Sequence, residues 1–128
     1  MIVLDASVLI AHFQPADPHH QRASQLLAEH HHHQFVINTI TLAEVLVGPA
    51  RSGQTDTFGQ ALGTLEIQTH GLDANAAAPL AELRAQTGLK LPDCCVIYTA
   101  ERQTDCLIAS FDARLNAQAR RLQISTVN

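Results

Sequence analysis

The opening run Met1-Ile2-Val3-Leu4-Asp5-Ala6-Ser7 constrains this chain more than any other stretch. Three apolar residues end in an acid. A small residue and a hydroxyl follow, and a helix-spaced apolar pattern starts at Val8. Such a run predicts a short buried strand whose C-terminal end hands a carboxylate to the turn before a helix. In open parallel sheets, ligands bind outside those strand ends. If Asp5 lines such a crevice, other acids of the chain should converge on it.

The rest of the sequence repeats the alternation. Ala6 to Phe13 continues as a first helix, which Pro15 interrupts. Asp17-Pro18 has the form of an N-cap followed by proline at the first helical position, and predicts a second helix to about His30. Phe35-Val36-Ile37 is a second strand, and Thr41 to Val47 a helix that Gly48-Pro49 interrupts or ends. Arg51 to Leu62 is polar and reads as a loop and a weak helix, with a third strand at Leu65-Glu66-Ile67. Asp73 can cap a helix from Ala74 to Thr87, with Gly88 as its C-cap. The loop Leu89-Lys90-Leu91-Pro92 leads to Asp93, at the start of a helix, Cys94 to Arg102, that is apolar nearly all round and so buried. Cys106 to Ala109 is another buried strand. Ser110-Phe111-Asp112 then repeats the arrangement at Asp5, before a helix from Ala113 to Leu122 and a short terminal strand from Ile124 to Val127. Strands alternating with helices predict an α/β fold with a parallel sheet and helices on both faces.

Composition narrows the classes. With 128 residues and 46% apolar content, one domain with one real core is expected. No apolar run reaches the roughly 18 residues of a membrane span. The apolar start lacks a basic n-region and a small-residue cleavage site, which argues against a secretory signal. The cysteines are odd in number and Cys94 and Cys95 are adjacent, so buried thiols in a reducing cytoplasm are expected. The net charge of −4 excludes recognition of nucleic acid by bulk charge, and points instead to an acidic site carrying cations, or to a charged partner. The run His30 to His33 lacks a spaced carboxylate or cysteine to complete a metal set, and reads as a solvated helix end.

Four acids stand out. Taken singly, each has an ordinary role: Asp93 and Asp112 as helix caps, Glu44 on a wet helix stripe or in a T-x-x-E box with Thr41. Taken together, Asp5 and Asp112 end core strands, Asp93 begins a core helix, and Glu44 sits among apolar neighbours just after the second strand. A parallel layout sends all four to one sheet edge. Carboxylates gathered there repel one another unless a cation intervenes. Mg²⁺ or Mn²⁺ suits such a site, with water and substrate phosphate completing the shell. The chemistry it favours is metal-assisted phosphodiester hydrolysis.

The motifs I-V-L-D-A-S, T-L-A-E-V-L-V-G, L-P-D-C-C-V-I-Y-T-A and I-A-S-F-D-A-R-L, in this order and spacing, resemble the PIN-domain family, and more narrowly its VapC-type ribonuclease toxins of type II toxin–antitoxin modules. The resemblance covers essentially the whole chain. It implies a PIN-like three-layer α/β/α sandwich around a central, mostly parallel sheet of four to five strands. It implies Asp5, Glu44, Asp93 and Asp112 as the acidic quartet around Mg²⁺ or Mn²⁺, with Asp5 and Asp93 as the firmest ligands. Ser7 and Ser110 match supporting polar positions. Single-stranded or looped RNA as substrate, a cognate antitoxin and a homodimer are also implied. Two features depart from the family pattern: the histidine run, and Cys94-Cys95, which occupies a place for small apolar residues and is read as packing.

Among the cations, Arg114, Lys90 and Arg51, with Arg120 and Arg121, are candidates for phosphate contact, Arg114 first. The expected reaction is in-line attack by a metal-activated water, leaving 5′-phosphate and 3′-hydroxyl ends. Three other readings stay open: a phosphatase with Asp5 as nucleophile, although Ser7 stands where its second acid belongs; a metal-independent ribonuclease using His12 or His70; and a non-catalytic module that occupies RNA or a partner.

Overall fold

The first strand forms as expected, and its burial makes it the axis of the sheet. The computed structural model describes all 128 residues. β1 (Ile2–Leu4) is followed by α1 (Ala6–Phe13), α2 (His20–Glu29), β2 (Phe35–Asn38), α3 (Thr39–Arg51) and α4 (Thr55–Thr64). β3 (Gln68–His70), a 3₁₀ turn at Ala74–Ala76, α5 (Ala77–Thr87), α6 (Leu91–Glu101), β4 (Leu107–Ala109), α7 (Ala113–Arg121) and β5 (Ser125–Val127) complete the chain. All strand pairings are parallel, in the order β3-β2-β1-β4-β5. Val3 lies opposite Val36 on one side and Ile108 on the other.

Alternation along the strands divides the core into two layers. Ile2 and Leu4, with Phe35 and Ile37, face a cluster built on α1, α2, Val45 of α3 and Leu62 of α4. Val3, Val36 and Ile108 face the opposite cluster, built on Leu83 of α5, on α6, and on Leu115 and Ala119 of α7. This is the expected α/β/α sandwich, with five strands in its sheet. Leu4 is fully buried, and truncating it to alanine would cost about 2–5 kcal/mol. No helix is long and apolar enough to cross a membrane.

Several boundaries differ from the sequence expectation, each for a local reason. The third strand begins three residues later than predicted. α4 runs to Thr64, and Glu66 adopts a left-handed φ of 56° that closes the helix end. Leu65 and Ile67 pack on the core from that turn rather than from a strand. α3 continues through Gly48-Pro49, because Thr41 and Val45 anchor its buried face and packing overrides the proline. Asp17-Pro18 precedes α2 instead of capping it: the Asp17 Oδ1 accepts from the His19 amide at 2.8 Å, and His19 is the N-cap residue. The predicted loop before Asp93 is partly helix. Proline is tolerated in a first turn, whose N–H groups lack partners anyway, so α6 starts at Leu91 with Lys90 as its N-cap residue. Gly88 closes α5 with φ 70°, as expected, its amide donating to the Arg84 carbonyl at 2.9 Å.

Candidate active site

β1 is followed in the sheet by β2 on one side and β4 on the other, so the strand order reverses beside it. The crevice at such a reversal opens outside the C-terminal ends of the two diverging strands. Asp5 follows β1, and Asp112 follows β4 by three residues. The Asp5 amide donates to the Ala109 carbonyl at 2.9 Å, which locks the two strand ends together.

Asp5 is buried, with 7% of its surface exposed, and it is the N-cap residue of α1 without capping it through its side chain. Its Oδ2 accepts two hydroxyl bonds, from Ser7 Oγ at 2.7 Å and Ser110 Oγ at 2.8 Å. Both serines also accept. Ser7 Oγ takes the Phe111 amide at 3.1 Å, and Ser110 Oγ takes the Asp112 amide at 2.9 Å. The two serines therefore tie the β1 turn to the β4 turn through one carboxylate oxygen. Hydrogen bonds to a charged group are worth about 1.5–3 kcal/mol each, enough to hold the carboxylate in one orientation.

Asp112 is exposed and does cap its helix, with Oδ1 accepting from the Leu115 amide at 3.0 Å. Asp93 is half-buried in the first turn of α6, where an acid also complements the helix dipole. Burial pushes its carboxyl up to about 6, and the charges of Asp5 and then Asp112 push the same way, while Lys90 and Arg114 oppose them. Glu44, half-buried on α3, is likewise raised, by burial first and then by Asp5 and Asp93. Asp5 therefore acts on both Glu44 and Asp93, and Asp112 acts on Asp93. The Thr41 box with Glu44 does not form. The Thr41 amide donates instead to the Asn38 side chain at 2.9 Å, and Asn38 is the N-cap residue of α3.

Of the predicted cations, Lys90 and Arg114 act on this cluster. Arg51 stands exposed at the far end of α3, about two turns beyond Glu44. Arg120 donates to Thr126 Oγ1, and Arg121 to Gln118. His12 and His70 sit in separate hydrogen bonds, with Ser24 and Gln103, and neither is among the charges acting on Glu44 or Asp93. Cys94 and Cys95 are core residues, and burial raises both thiols, that of Cys95 to about 11.

Sequence reasoning missed two residues that build the site from behind. Asn38 orients α3 through its cap. Asn116, buried in α7, donates its Nδ2 to the Ser110 carbonyl at 2.9 Å and so fixes the serine that holds Asp5. The only signal for Asn116 was a polar residue on the helix face that also carries Leu115 and Ala119.

The donor set is hard oxygen, and burial, then the charges of neighbouring acids, favour the protonated forms of Glu44 and Asp93 when no cation is bound. No three of these side chains lie close enough together to hold a metal ion as they stand. The set fits a divalent cation by charge and donor type.

Comparison with known proteins agrees with the fold. A family model for the PIN domain matches residues 2–121. Among curated proteins none matches. Among solved structures, a toxin–antitoxin complex from Klebsiella pneumoniae superposes with TM-score 0.78 at 23% identity, covering 100% of this chain and 97% of the other. VapC20 of Mycobacterium tuberculosis, described as a sarcin–ricin loop cleaving toxin, gives TM-score 0.75 at 16% identity, covering 92% and 95%. VapBC2 from Rickettsia felis, bound to a DNA fragment from its promoter, gives TM-score 0.66 at 16% identity, covering 100% and 98%.

Proposed function

The chain belongs to the PIN domain family, and from that premise we propose that residues 1–128 form a single PIN domain acting as a divalent-cation-dependent endoribonuclease, the toxin of a toxin–antitoxin pair. The observation that carries this reading is that Asp5 acts on Glu44 and Asp93, and Asp112 on Asp93, beside the sheet's reversal point, with Asp5 clamped by two hydroxyls. Structural neighbours that are toxins or toxin–antitoxin assemblies support it.

In this reading Asp5 and Asp93 hold Mg²⁺ or Mn²⁺, with Glu44 and Asp112 completing the acidic wall. The bound ion would supply a water polarised toward hydroxide and positive charge for the phosphate oxygens. The protein's own part is positional. Ser7 and Ser110 keep one Asp5 oxygen, Oδ2, engaged, and no hydrogen bond reaches Oδ1, the oxygen that would meet the ion. Asp112 keeps one oxygen on its helix and offers the other. Glu44, with its raised proton affinity, is suited to accept a proton from water. Lys90 and Arg114 flank the acids and can meet the RNA phosphates, with Arg51 a more distant candidate. Products carry 5′-phosphate and 3′-hydroxyl ends.

Two surfaces suit the expected protein partners. A groove of about 450 Å³ between α1, α3 and α4 is lined by Ile10, Phe13, Val47 and Phe58 and has Glu44 on its wall. An apolar antitoxin segment seated there would block the acids directly. A second groove of about 470 Å³ is lined by Ile40, Leu80 and Leu91, the first and last of them exposed, and suits the homodimer contact. Replacing Asp5 with asparagine tests the function. Wild type should cut single-stranded RNA only with Mg²⁺ or Mn²⁺ and should arrest growth, and Asp5→Asn should do neither while keeping the fold. Cyclic-phosphate products, or full activity in excess EDTA, would sink the reading.

A further inference from the structure

The chain has no tryptophan and few aromatic rings, and most are already engaged. Phe35 is in the core, Phe13 packs edge-on against Phe58, and Tyr98 lies under the Arg102 guanidinium. One pair differs. The His19 ring stacks flat on Phe111, with centroids 4.5 Å apart and planes 9° from parallel.

This stack stands at the carboxylate edge. Phe111 lies between Ser110 and Asp112, and its amide donates to the same Ser7 hydroxyl that donates to Asp5. His19 is exposed, so its inner face rests on Phe111 and its outer face meets solvent. Its backbone is fixed by the Asp17 carboxylate, and its neighbour His20 is pinned through Nδ1 to the Ala11 carbonyl at 2.8 Å. An exposed ring held this firmly has already lost the freedom that binding would otherwise cost it.

We propose that the outer face of His19, backed by Phe111, is a stacking platform for one base of single-stranded RNA beside the scissile phosphate. The proposal rests on the ribonuclease reading and gives it a recognition element. Single-stranded nucleic acid is held by cations that track phosphates and by aromatic faces on which bases stack. Lys90 and Arg114 provide the first part at this edge. The His19–Phe111 pair provides the second. A stacking face reads ring area rather than edge pattern, so it favours a purine at that position without selecting a sequence.

The test uses the full chain carrying Asp5→Asn, which the ribonuclease reading expects to bind RNA without cutting it. Short single-stranded RNAs carrying 2-aminopurine at successive positions are titrated in Mg²⁺. One position should be quenched on binding. Adding His19→Ala should abolish that quench and weaken binding by about tenfold, within the range for losing one base–aromatic stack. Adding His19→Trp instead should restore both. If His19→Ala binds and quenches like its parent, the platform is overturned and the ribonuclease reading stands. If His19→Trp fails to restore what His19→Ala loses, the ring only props the turn, and the proposal fails. If the parent binds no RNA at all, the platform is overturned, and cleavage of the same RNAs by wild type in Mg²⁺ decides the ribonuclease reading separately.

Discussion

The β1–α1 and β4–α7 junctions share one local arrangement, a strand, then an acid, then a helix, yet the two acids end in different states. Asp5 is buried, leaves its helix uncapped, and is clamped by hydroxyls from both junctions. Asp112 is exposed and uses one oxygen on the Leu115 amide. The difference arises from distance past the strand. Asp5 directly follows β1, where the sheet still encloses it, whereas buried Ser110 holds the matching place after β4 and Asp112 lies two residues further out. Ser110, on the β4 turn, reaches across to Asp5, whereas the β1 turn makes no such bond to the Asp112 carboxylate. One junction supplies a fixed carboxylate and the other a structural cap with a spare oxygen.

The comparison breaks most sharply at Asp5. Asp5→Asn should lower RNA cleavage by about 1,000-fold or more, since several kcal/mol of charge stabilisation would go with the cation. Far-UV circular dichroism should be unchanged. An active Asp5→Asn variant would remove the distinction between the two junctions.

Next in size is the pH response of the acid between them. Asp93 is raised from 3.8 to about 6 in the folded chain. Its protonated form is favoured by folding, so in EDTA its contribution to stability is full below pH 3.8 and is lost as pH rises through about 6. Glu44 acts in the same direction. Thermal midpoints in EDTA should therefore fall across that window, and Mg²⁺ should recover the loss above it. Asp93→Asn should flatten the slope. Cleavage should run the opposite way, falling about tenfold per pH unit once Asp93 is protonated.

A smaller effect tests the clamp. Ser110→Ala removes a donor to Asp5 and the acceptor of the Asp112 amide, and should cost about tenfold in kcat, as expected for one hydrogen bond to a charged group. Ser110→Thr keeps the hydroxyl and should recover most of it. The smallest effect isolates the cap. Asp112→Ala should destabilise the fold by about 1 kcal/mol in urea titrations, while Asp112→Asn, an equally good cap, should not. Both should lower cleavage, which separates the charge of Asp112 from its structural role.

Much of this was legible in the sequence. Ile2 to Leu4 read as the central strand because only a strand covered on both faces is apolar at every position. Asp5, Asp93 and Asp112 could be picked out because each follows a strand or opens a helix, where parallel topology gathers residues, and Glu44 because it is an acid among apolar neighbours on the helix after β2. The boundaries at Glu66, Pro49 and Leu91 were not legible. A left-handed closing residue, a proline held in place by packing, and a proline in a first turn all look like breaks in one dimension.

By itself, the sequence determined the α/β alternation, the two-faced core and the identity of the acids, because these follow from periodicity and from charge placed beside apolar runs. The tertiary structure alone decided which acid is fixed and which is a cap. It brought Ser110 across to Asp5 over 105 residues, set Asn116 behind that serine, and stacked His19 on Phe111. Those contacts depend on strand order and register, and a residue's near neighbours carry no information about which distant strand will lie beside it.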